Sequence, residues 1–238
     1  MRHIGFSTGA LALGDWQKAL AMLNKSAATA IELSALREQE LEPLIKSLPE
    51  IDLSKFNSVF FHAPSKLEKL TERELVEMLK TVTMKEWPII VHPDIIQNYN
   101  LWSDFGELLC IENMDRRKSK GRTAEELLSI FEKLPSASFC FDIGHARHID
   151  RTMSQAKAMI HEFHARMKVI HLSEVDIHGH HVPLSFMAML SFSHLSKMIA
   201  DKWPIIFESP VYNAHIDAEI NCAVEFLTTP GKTLLQTG

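Results

Sequence analysis

The segment Phe139-Cys140-Phe141-Asp142 is an apolar run of strand length that ends in a carboxylate. Runs of the same kind recur along the whole chain, separated by longer stretches. The other seven are Ile4 to Ser7, Ala30 to Leu33, Ser58 to His62, Ile89 to His92, Leu108 to Glu112, Val169 to Leu172 and Ile205 to Glu208. Short apolar runs bounded by turn residues are typical of buried strands. The sequence therefore predicts eight strands.

The intervening stretches have apolar residues at three- or four-residue spacing, as in the series Leu75, Met78, Leu79 and Val82, which is typical of a helix with one buried face. Alternating strands and helices predict a parallel sheet, and eight such units close into a barrel. We therefore predict an α/β fold, a (β/α)8 TIM barrel, as a single domain over residues 1–238. The alternative, an open doubly wound sheet, normally has a glycine-rich phosphate loop after its first strand, and Ser7-Thr8-Gly9-Ala10 matches that loop poorly.

Composition narrows the class of protein. The formal charge of −5 argues against general electrostatic attraction to nucleic acid. The chain has no apolar run long enough to span a bilayer and no secretion signal at its start, so we expect a cytoplasmic protein without a membrane partner. Three cysteines without paired zinc-type spacing suggest neither a disulfide framework nor a thiolate site. Cys110 and Cys140 are predicted to fill the barrel interior, since each lies two residues before a strand-end carboxylate.

Seven of the eight runs end at or beside a side chain that can bind a metal. These side chains are Glu32, His62, His92, Glu112, Asp142, His171 and Glu208. In a TIM barrel the carboxyl ends of all strands meet at one face, where active sites lie. Buried carboxylates need a partner charge or a metal to stay ionised, so a ring of carboxylates and histidines at this face predicts bound divalent cations.

The strand-end strings resemble those of the xylose-isomerase-like TIM barrel superfamily, which includes sugar phosphate isomerases and epimerases and the endonuclease IV-like proteins. The strings are Phe61-His62-Ala63-Pro64, Val91-His92-Pro93, Ile111-Glu112-Asn113, Phe141-Asp142-Ile143-Gly144-His145, Ile170-His171-Leu172 and Phe207-Glu208-Ser209. They occur in the order expected of that superfamily, from the third strand to the eighth, and the pattern is most similar to the endonuclease IV-like members.

The resemblance implies a multinuclear metal site in which Glu112 bridges two ions. His62 and His92 would complete one ion's ligands, and Asp142, His171 and Glu208 the other's. A third ion would be held by His145, His181 and an aspartate two residues before His181, but Gly179 stands at that position. The alternative is that His180, His178 or Asp176 takes the place of that aspartate. The implied ions are Zn or Mn, two to three in number, or a single ion if only the core of Glu112, Asp142, His171 and Glu208 is used.

Substrate contacts are expected from two places. The loop after Glu112 has five cations within residues 116–122, and Arg116, Arg117 and Lys118 are predicted to bind an anionic group. The alternative is an ordinary solvated loop. Glu32 is predicted either to face the site and contact substrate or to fix a neighbouring loop.

Three functions remain open at this point. The first is a metal-dependent hydrolase of a small phosphorylated or sugar-like substrate, with Glu112 and Glu208 as catalytic residues that hold and bridge metals. The second is a sugar or sugar phosphate isomerase or epimerase that uses one metal and a proton shuttle between Glu112 and Glu208. The third is an inactive barrel that holds metal as a binding or scaffold protein.

Duplex DNA is an unexpected substrate because most strand-end connections are short and Ser65 follows the His-Ala-Pro string, where an aromatic residue would help open a duplex. Oligomeric state is left open.

Overall fold

The computed structural model describes residues 2–212 and 215–228, with side chains through residue 225. Eight parallel strands close into a barrel in the order β1, β2, β3, β4, β5, β6, β7 and β10, with β10 pairing back onto β1. Their bounds are β1 Ile4–Ser7, β2 Ala30–Ser34, β3 Ser58–His62, β4 Ile89–Val91, β5 Leu109–Glu112, β6 Ser138–Asp142, β7 Met167–Leu172 and β10 Ile205–Phe207. The predicted (β/α)8 fold is confirmed, and the strand bounds differ from the predicted ones by at most two residues.

Helices lie between the strands. They are α1 Thr8–Ala12, α2 Trp16–Asn24, α3 Glu38–Ser47, α4 Glu72–Thr83, α5 Tyr99–Trp102, α6 Ala124–Phe131, α7 Ile143–Ile149, α8 Ser154–Phe163, α9 Phe186–Ser193 and α10 Ile216–Thr228, with 3-10 helices at Pro93–Ile95 and Ser103–Leu108. Helix α4 begins with a complete capping box, in which Thr71 and Glu74 each accept from the other's backbone N–H. Among the described residues, no helix is long and apolar enough to cross a membrane.

A short antiparallel hairpin interrupts the alternation after β7. Its strands are β8 Glu174–Val175 and β9 His181–Val182, with Glu174 opposite Val182. The sequence analysis did not predict it, because strands of two residues leave no period-two pattern to recognise. The hairpin lies at the carboxyl end of β7 and adds His181 to the residues on this side of the barrel.

The interior of the barrel is filled by one small cluster of buried side chains. Its members are Ala30, Phe60, Ile90, Cys110, Cys140, Val169 and Ile206. Each stands two residues before one of the seven strand-end side chains that can bind a metal, and residues two apart on a strand point to the same side. The predicted inward position of both cysteines is confirmed, and the strand-end side chains form the next layer above this core.

Two of the predicted strand-end side chains lie one residue beyond the end of their strand. His92 follows β4 and precedes the 3-10 helix that starts at Pro93, which has no N–H to continue the ladder. Glu208 follows β10, where the pairing with β1 ends at Phe207. Both side chains still reach the carboxyl face, and their positions just past the strands place them at the entrance of the barrel.

Candidate metal centre

Glu112 lies at the centre of the carboxyl face. The backbone of β5 brings this carboxylate to the barrel axis, where it is almost completely buried. Its Oε2 is 3.3 Å from His62 Nε2 and 3.1 Å from His92 Nε2. Its Oε1 is 3.2 Å from His145 Nδ1 and 3.6 Å from His171 Nδ1. One carboxylate therefore faces two separate pairs of histidines with its two oxygens.

Two groups of side chains around Glu112 have the composition of metal sites. His62, His92 and Glu112 place one ligand atom each within 4.8 Å of one another. Glu112, Asp142, His171 and Glu208 do the same, with His171 Nδ1 at 3.2 Å from Glu208 Oε2. Mixed imidazole and carboxylate ligands suit Zn, Mn, Fe or Co. The strand-end side chains predicted from the sequence are brought together, and Glu112 belongs to both groups.

A further group combines Asp142 with two histidines outside the eight barrel strands. Asp142, His145 and His181 place ligand atoms within the same 4.8 Å limit. Asp142 caps α7, where its Oδ1 accepts from the backbone N–H of His145 at 2.5 Å. The ring of His181 lies 5.0 Å from that of His145, and its Nδ1 is 2.7 Å from Ser173 Oγ. This group lacks the additional carboxylate that the resemblance implies, because residue 179 is glycine.

Several buried atoms in these groups have no hydrogen-bond partner. They are His92 Nδ1, Glu112 Oε1, Asp142 Oδ2, His171 Nδ1 and Glu208 Oε2. Buried polar atoms normally have a partner, and leaving one without costs free energy. Four of these five atoms converge within the group of Glu112, Asp142, His171 and Glu208. Divalent cations would satisfy all four, so the residues present fit a metal centre.

Two histidines are held with one ring nitrogen turned toward the site. His62 Nδ1 donates to the carbonyl oxygen of Ala63 at 2.7 Å, which leaves Nε2 facing Glu112. His171 Nε2 is 2.8 Å from Glu32 Oε2, which leaves Nδ1 facing Glu208. Hydrogen bonds of this kind fix the tautomer and the orientation of ligating histidines.

The carboxylates favour the charged form of His62 and His145. Burial lowers the pKa of His62, but the hydrogen bond with Glu112 and the nearby charge of Glu32 outweigh it and raise the pKa to about 9. Burial likewise opposes the rise at His145, where the charge of Asp142 and the close contact with the Glu112 carboxylate raise the pKa to about 10. At His181, burial dominates and lowers the pKa to about 4.

The carboxylates themselves differ in their proton affinity. Burial favours the neutral form of Glu112, yet the surrounding histidines, His92 first among them, hold its pKa well below the usual range. Burial raises the pKa of Asp142, and the charges of Glu208 and Glu112 add to the rise against the opposing effect of His145. Glu112 is thus a stable anion, whereas Asp142 carries a charge that its surroundings disfavour.

A cavity of about 680 Å³ opens above these groups. Among the residues that line it are His62, His92, Glu112, His145, His181 and Glu208, together with Arg117 and Lys118 from the cationic loop. This volume lies within the range of small-molecule sites. The side chain of Lys118 also pairs with Asp94 at 2.8 Å, on the wall of the same cavity.

Two of the predicted substrate contacts lie elsewhere. Glu32 is completely buried behind His171 and bonds to its ring, so the prediction that it contacts substrate is not supported. Arg116 bonds to the carbonyl oxygen of His148 and lines a neighbouring groove with Arg147 and Arg151. The loop turns between residues 116 and 117, which sends the two arginines to different sides.

The structure also adds residues that the sequence analysis missed. Asp115 is buried, and its Oδ2 lies 3.8 Å from His145 Nε2. Ser173, also buried, bonds to His181. Asp115 lies only three residues after Glu112, a signal that was available in the sequence. Ser173 gave no such signal, because its contact depends on the hairpin.

Solved structures with the same backbone architecture come from several enzymes. Endonuclease IV from Thermus thermophilus is 18% identical, with a TM-score of 0.60 over 95% of this chain and 99% of that one. The probable 3-DHS dehydratase AsbF from Bacillus anthracis is 12% identical, with a TM-score of 0.59 over 96% of this chain and 99% of that one. The 3-keto-D-glucoside 4-epimerase of E. coli is 13% identical, with a TM-score of 0.52 over 96% of this chain and 100% of that one. No family model and no curated protein sequence matches the chain. The chain thus shares the TIM-barrel fold of these enzymes.

Proposed function

We propose that this xylose-isomerase-like barrel is a divalent-metal-dependent hydrolase of a small phosphorylated or sugar-like substrate. The observation that carries the proposal is the position of Glu112 between two ligand groups. One oxygen faces His62 and His92, and the other faces His145 and His171. An isomerase that needs only one ion has no use for the first of these pairs.

The proposed assignment of ligands follows the two groups that share Glu112. His62, His92 and Glu112 would hold one ion, and Glu112, Asp142, His171 and Glu208 the other. Zn and Mn are the ions that we expect. When bound, such ions supply a Lewis acid and lower the pKa of water, which together promote attack on a phosphoryl group.

The protein side chains have three tasks in this proposal. Glu112 is shared by both ligand groups and fixes their positions relative to each other, and its low pKa keeps it ionised at neutral pH. Glu208 lines the cavity with its side chain 10% exposed, so it contacts both the ligand cluster and the substrate space. Arg117 and Lys118 place positive charge on the cavity wall for an anionic substrate group.

The first test is metal content per chain by elemental analysis, together with hydrolysis of a panel of phosphomonoesters, phosphodiesters and duplex DNA with abasic sites. We expect two ions per chain, one for each group that shares Glu112. We expect the His62→Ala, His92→Ala double variant to lose about one ion and the hydrolytic activity. His164→Ala, which removes an exposed histidine far from the cavity, is the matched control.

The outcomes separate the hypotheses. One ion per chain, unchanged in the double variant and without hydrolysis of any phosphoester, would contradict the proposal. Cleavage of duplex DNA alone would retain the metal site and overturn the substrate class.

The second candidate is a sugar isomerase or epimerase with one metal. It is favoured by the group of Glu112, Asp142, His171 and Glu208, which is sufficient for one ion. Two of its three carboxylates, Glu112 and Glu208, would form the proton shuttle. Its test is incorporation of solvent deuterium into a panel of ketoses and ketose phosphates by the metal-loaded protein. Exchange that depends on Glu208 would support it, and absence of exchange across the panel would exclude this reaction for those substrates.

A further inference from the structure

The cationic loop places one arginine where it is free to bind an anion. Arg117 lines the cavity with its side chain 47% exposed, and its Nη1 makes no hydrogen bond within the described residues. The other four cations have different partners: Arg116 with His148, Lys118 with Asp94 and the Ser65 carbonyl, Lys120 with the Ile96 carbonyl, and Arg122 with Glu126. Arg117 thus combines a position on the cavity wall with an unused donor group.

The guanidinium of Arg117 is fixed by Asp115. The carboxylate of Asp115 is 2% exposed and accepts from Arg117 Nε at 2.9 Å and from Nη2 at 2.6 Å. It also accepts from the backbone N–H of Arg117 at 2.7 Å. A two-pronged contact of this kind sets the plane of the guanidinium and leaves less conformational entropy to lose when an anion binds.

Gly179 provides the space that Arg117 occupies. The backbone of Gly179 has φ of +84°, and a Cβ there would lie 2.1 Å from Arg117 Nε and 2.4 Å from its Cζ. Any side chain at residue 179 would therefore displace the guanidinium or force the hairpin to move. The same glycine therefore accounts for two features: it leaves the group of Asp142, His145 and His181 without a further carboxylate, and it leaves space for Arg117.

We propose that Arg117 is a fixed cation that binds a phosphate oxygen of the substrate, and that Gly179 is the residue that admits it. The guanidinium also replaces a third metal ion, since it pairs with Asp115, whose carboxylate lies 3.8 Å from His145 Nε2. A divalent cation held by His145 and His181 would therefore lie beside a second positive charge, the guanidinium of Arg117. The inference deepens the proposed hydrolase function, on which its choice of ligand rests.

The test uses inorganic phosphate as the probe, titrated into the metal-loaded protein by calorimetry. We expect Arg117→Ala to weaken phosphate binding by about tenfold or more, because a charge-assisted hydrogen bond is lost. Gly179→Ala should weaken it similarly, although the arginine is still present. Arg117→Lys should fall in between, because it keeps the charge without the fork. Arg151→Ala, which removes an exposed arginine from the neighbouring groove, is the charge-matched control.

Metal content and thermal unfolding of each variant show whether the centre and the fold persist. We expect two ions in the wild type and in Arg117→Ala, with unfolding temperatures close to each other. Undiminished phosphate binding by Arg117→Ala would overturn the role of the arginine, and three ions in the wild type would overturn its replacement of a metal. If the wild type hydrolyses no phosphoester but loses phosphate affinity in Arg117→Ala, the proposed function fails while this inference stands.

Discussion

Glu32 Oε2 lies 2.8 Å from His171 Nε2, and both side chains are completely buried. The two residues are 139 positions apart in sequence and belong to β2 and β7. The bond turns His171 Nδ1 toward Glu208 at 3.2 Å. Glu32 therefore contacts the candidate metal centre through His171 and belongs to none of the ligand groups found among the described residues.

Loss of this contact should weaken metal binding. We expect Glu32→Ala to lower metal affinity by about 10- to 100-fold, the usual effect of removing the carboxylate behind a ligating histidine. Glu32→Gln should have a smaller effect, because its amide oxygen still accepts from the ring. The measurement is competition with a chromophoric chelator. Ser34→Ala, which removes only the hydroxyl that bonds to Glu32 Oε1 at 3.1 Å, is the control. Wild-type affinity in Glu32→Ala would show that the ring is held by other contacts.

A substitution at Asp142 should affect the stability of the metal-free protein and the binding of metal in opposite directions. Burial and the neighbouring carboxylates of Glu208 and Glu112 raise its pKa, so its ionisation disfavours the folded state when no metal is bound. We expect Asp142→Asn to raise the unfolding temperature of the chelator-treated protein and to abolish most of the increase that metal produces. Asparagine also caps helices well, so α7 should be retained.

The measurement is thermal unfolding of both proteins with chelator and with added Zn or Mn. Asp104→Asn changes an exposed carboxylate and serves as the control. A lower unfolding temperature of Asp142→Asn in chelator would contradict the expectation.

The stability of the metal-free protein should fall as pH rises. The pKa values of His62 and His145 are raised from 6.5 to about 9 and about 10, so their protonated forms stabilise the folded state. This contribution is complete below pH 6.5 and is lost as pH rises through 9 and 10. Metal binding should show the opposite trend, because the ions must displace these protons.

Two measurements check this expectation. Chemical unfolding of chelator-treated protein across this pH window gives the stability. Calorimetry of metal binding in buffers of different ionisation enthalpy gives the protons released. Stability that does not change over the window, with no proton release, would mean that the two histidines are neutral before metal binds.

The first strand tolerates no side chain at Gly5. A Cβ at this position would lie 1.7 Å from the carbonyl oxygen of Ala30 in the neighbouring strand. We therefore expect Gly5→Ala to prevent closure of the barrel or to lower the unfolding temperature severely. Gly106→Ala is the matched control, because a Cβ there has nothing within 4 Å and strains only a backbone φ of +55°. Its cost should be about 1 to 3 kcal/mol, because the backbone of Gly106, with φ of +55° and ψ of −131°, lies in a region that residues with a side chain rarely adopt. Similar unfolding temperatures for the two variants would contradict the role of Gly5 in close strand packing.

The barrel was predictable because each strand is an apolar run with a helix pattern on either side. The candidate ligands were predictable for the same reason: topology brings the ends of parallel strands together whatever their separation in sequence. Contacts that depend on side-chain direction were not. Glu32 occupies the same kind of strand end as Glu112, and only the pairing across the barrel shows that it bonds to His171.

The loop after β5 shows the limit of sequence patterns more clearly. Arg116 and Arg117 are adjacent and identical in chemistry, yet they line different hollows. Their assignment follows from the turn held by Asp115 and from the space above Gly179, two features that no periodicity encodes. Charge runs indicate where an anion can be attracted, whereas the backbone decides which member of the run meets it.

The closing strand β10 has only three residues paired with β1, and Glu208 follows directly after it. If ions bind as proposed, Glu208 is tethered through them to residues of β5, β6 and β7. This link would reinforce the seam of the barrel, which is the junction where β10 pairs with β1. It would join β10 to strands from the middle of the chain independently of the few backbone hydrogen bonds between β10 and β1. Amide hydrogens of β1 and β10 would then exchange with solvent far more slowly once metal is bound, so the seam would report on the occupancy of the centre.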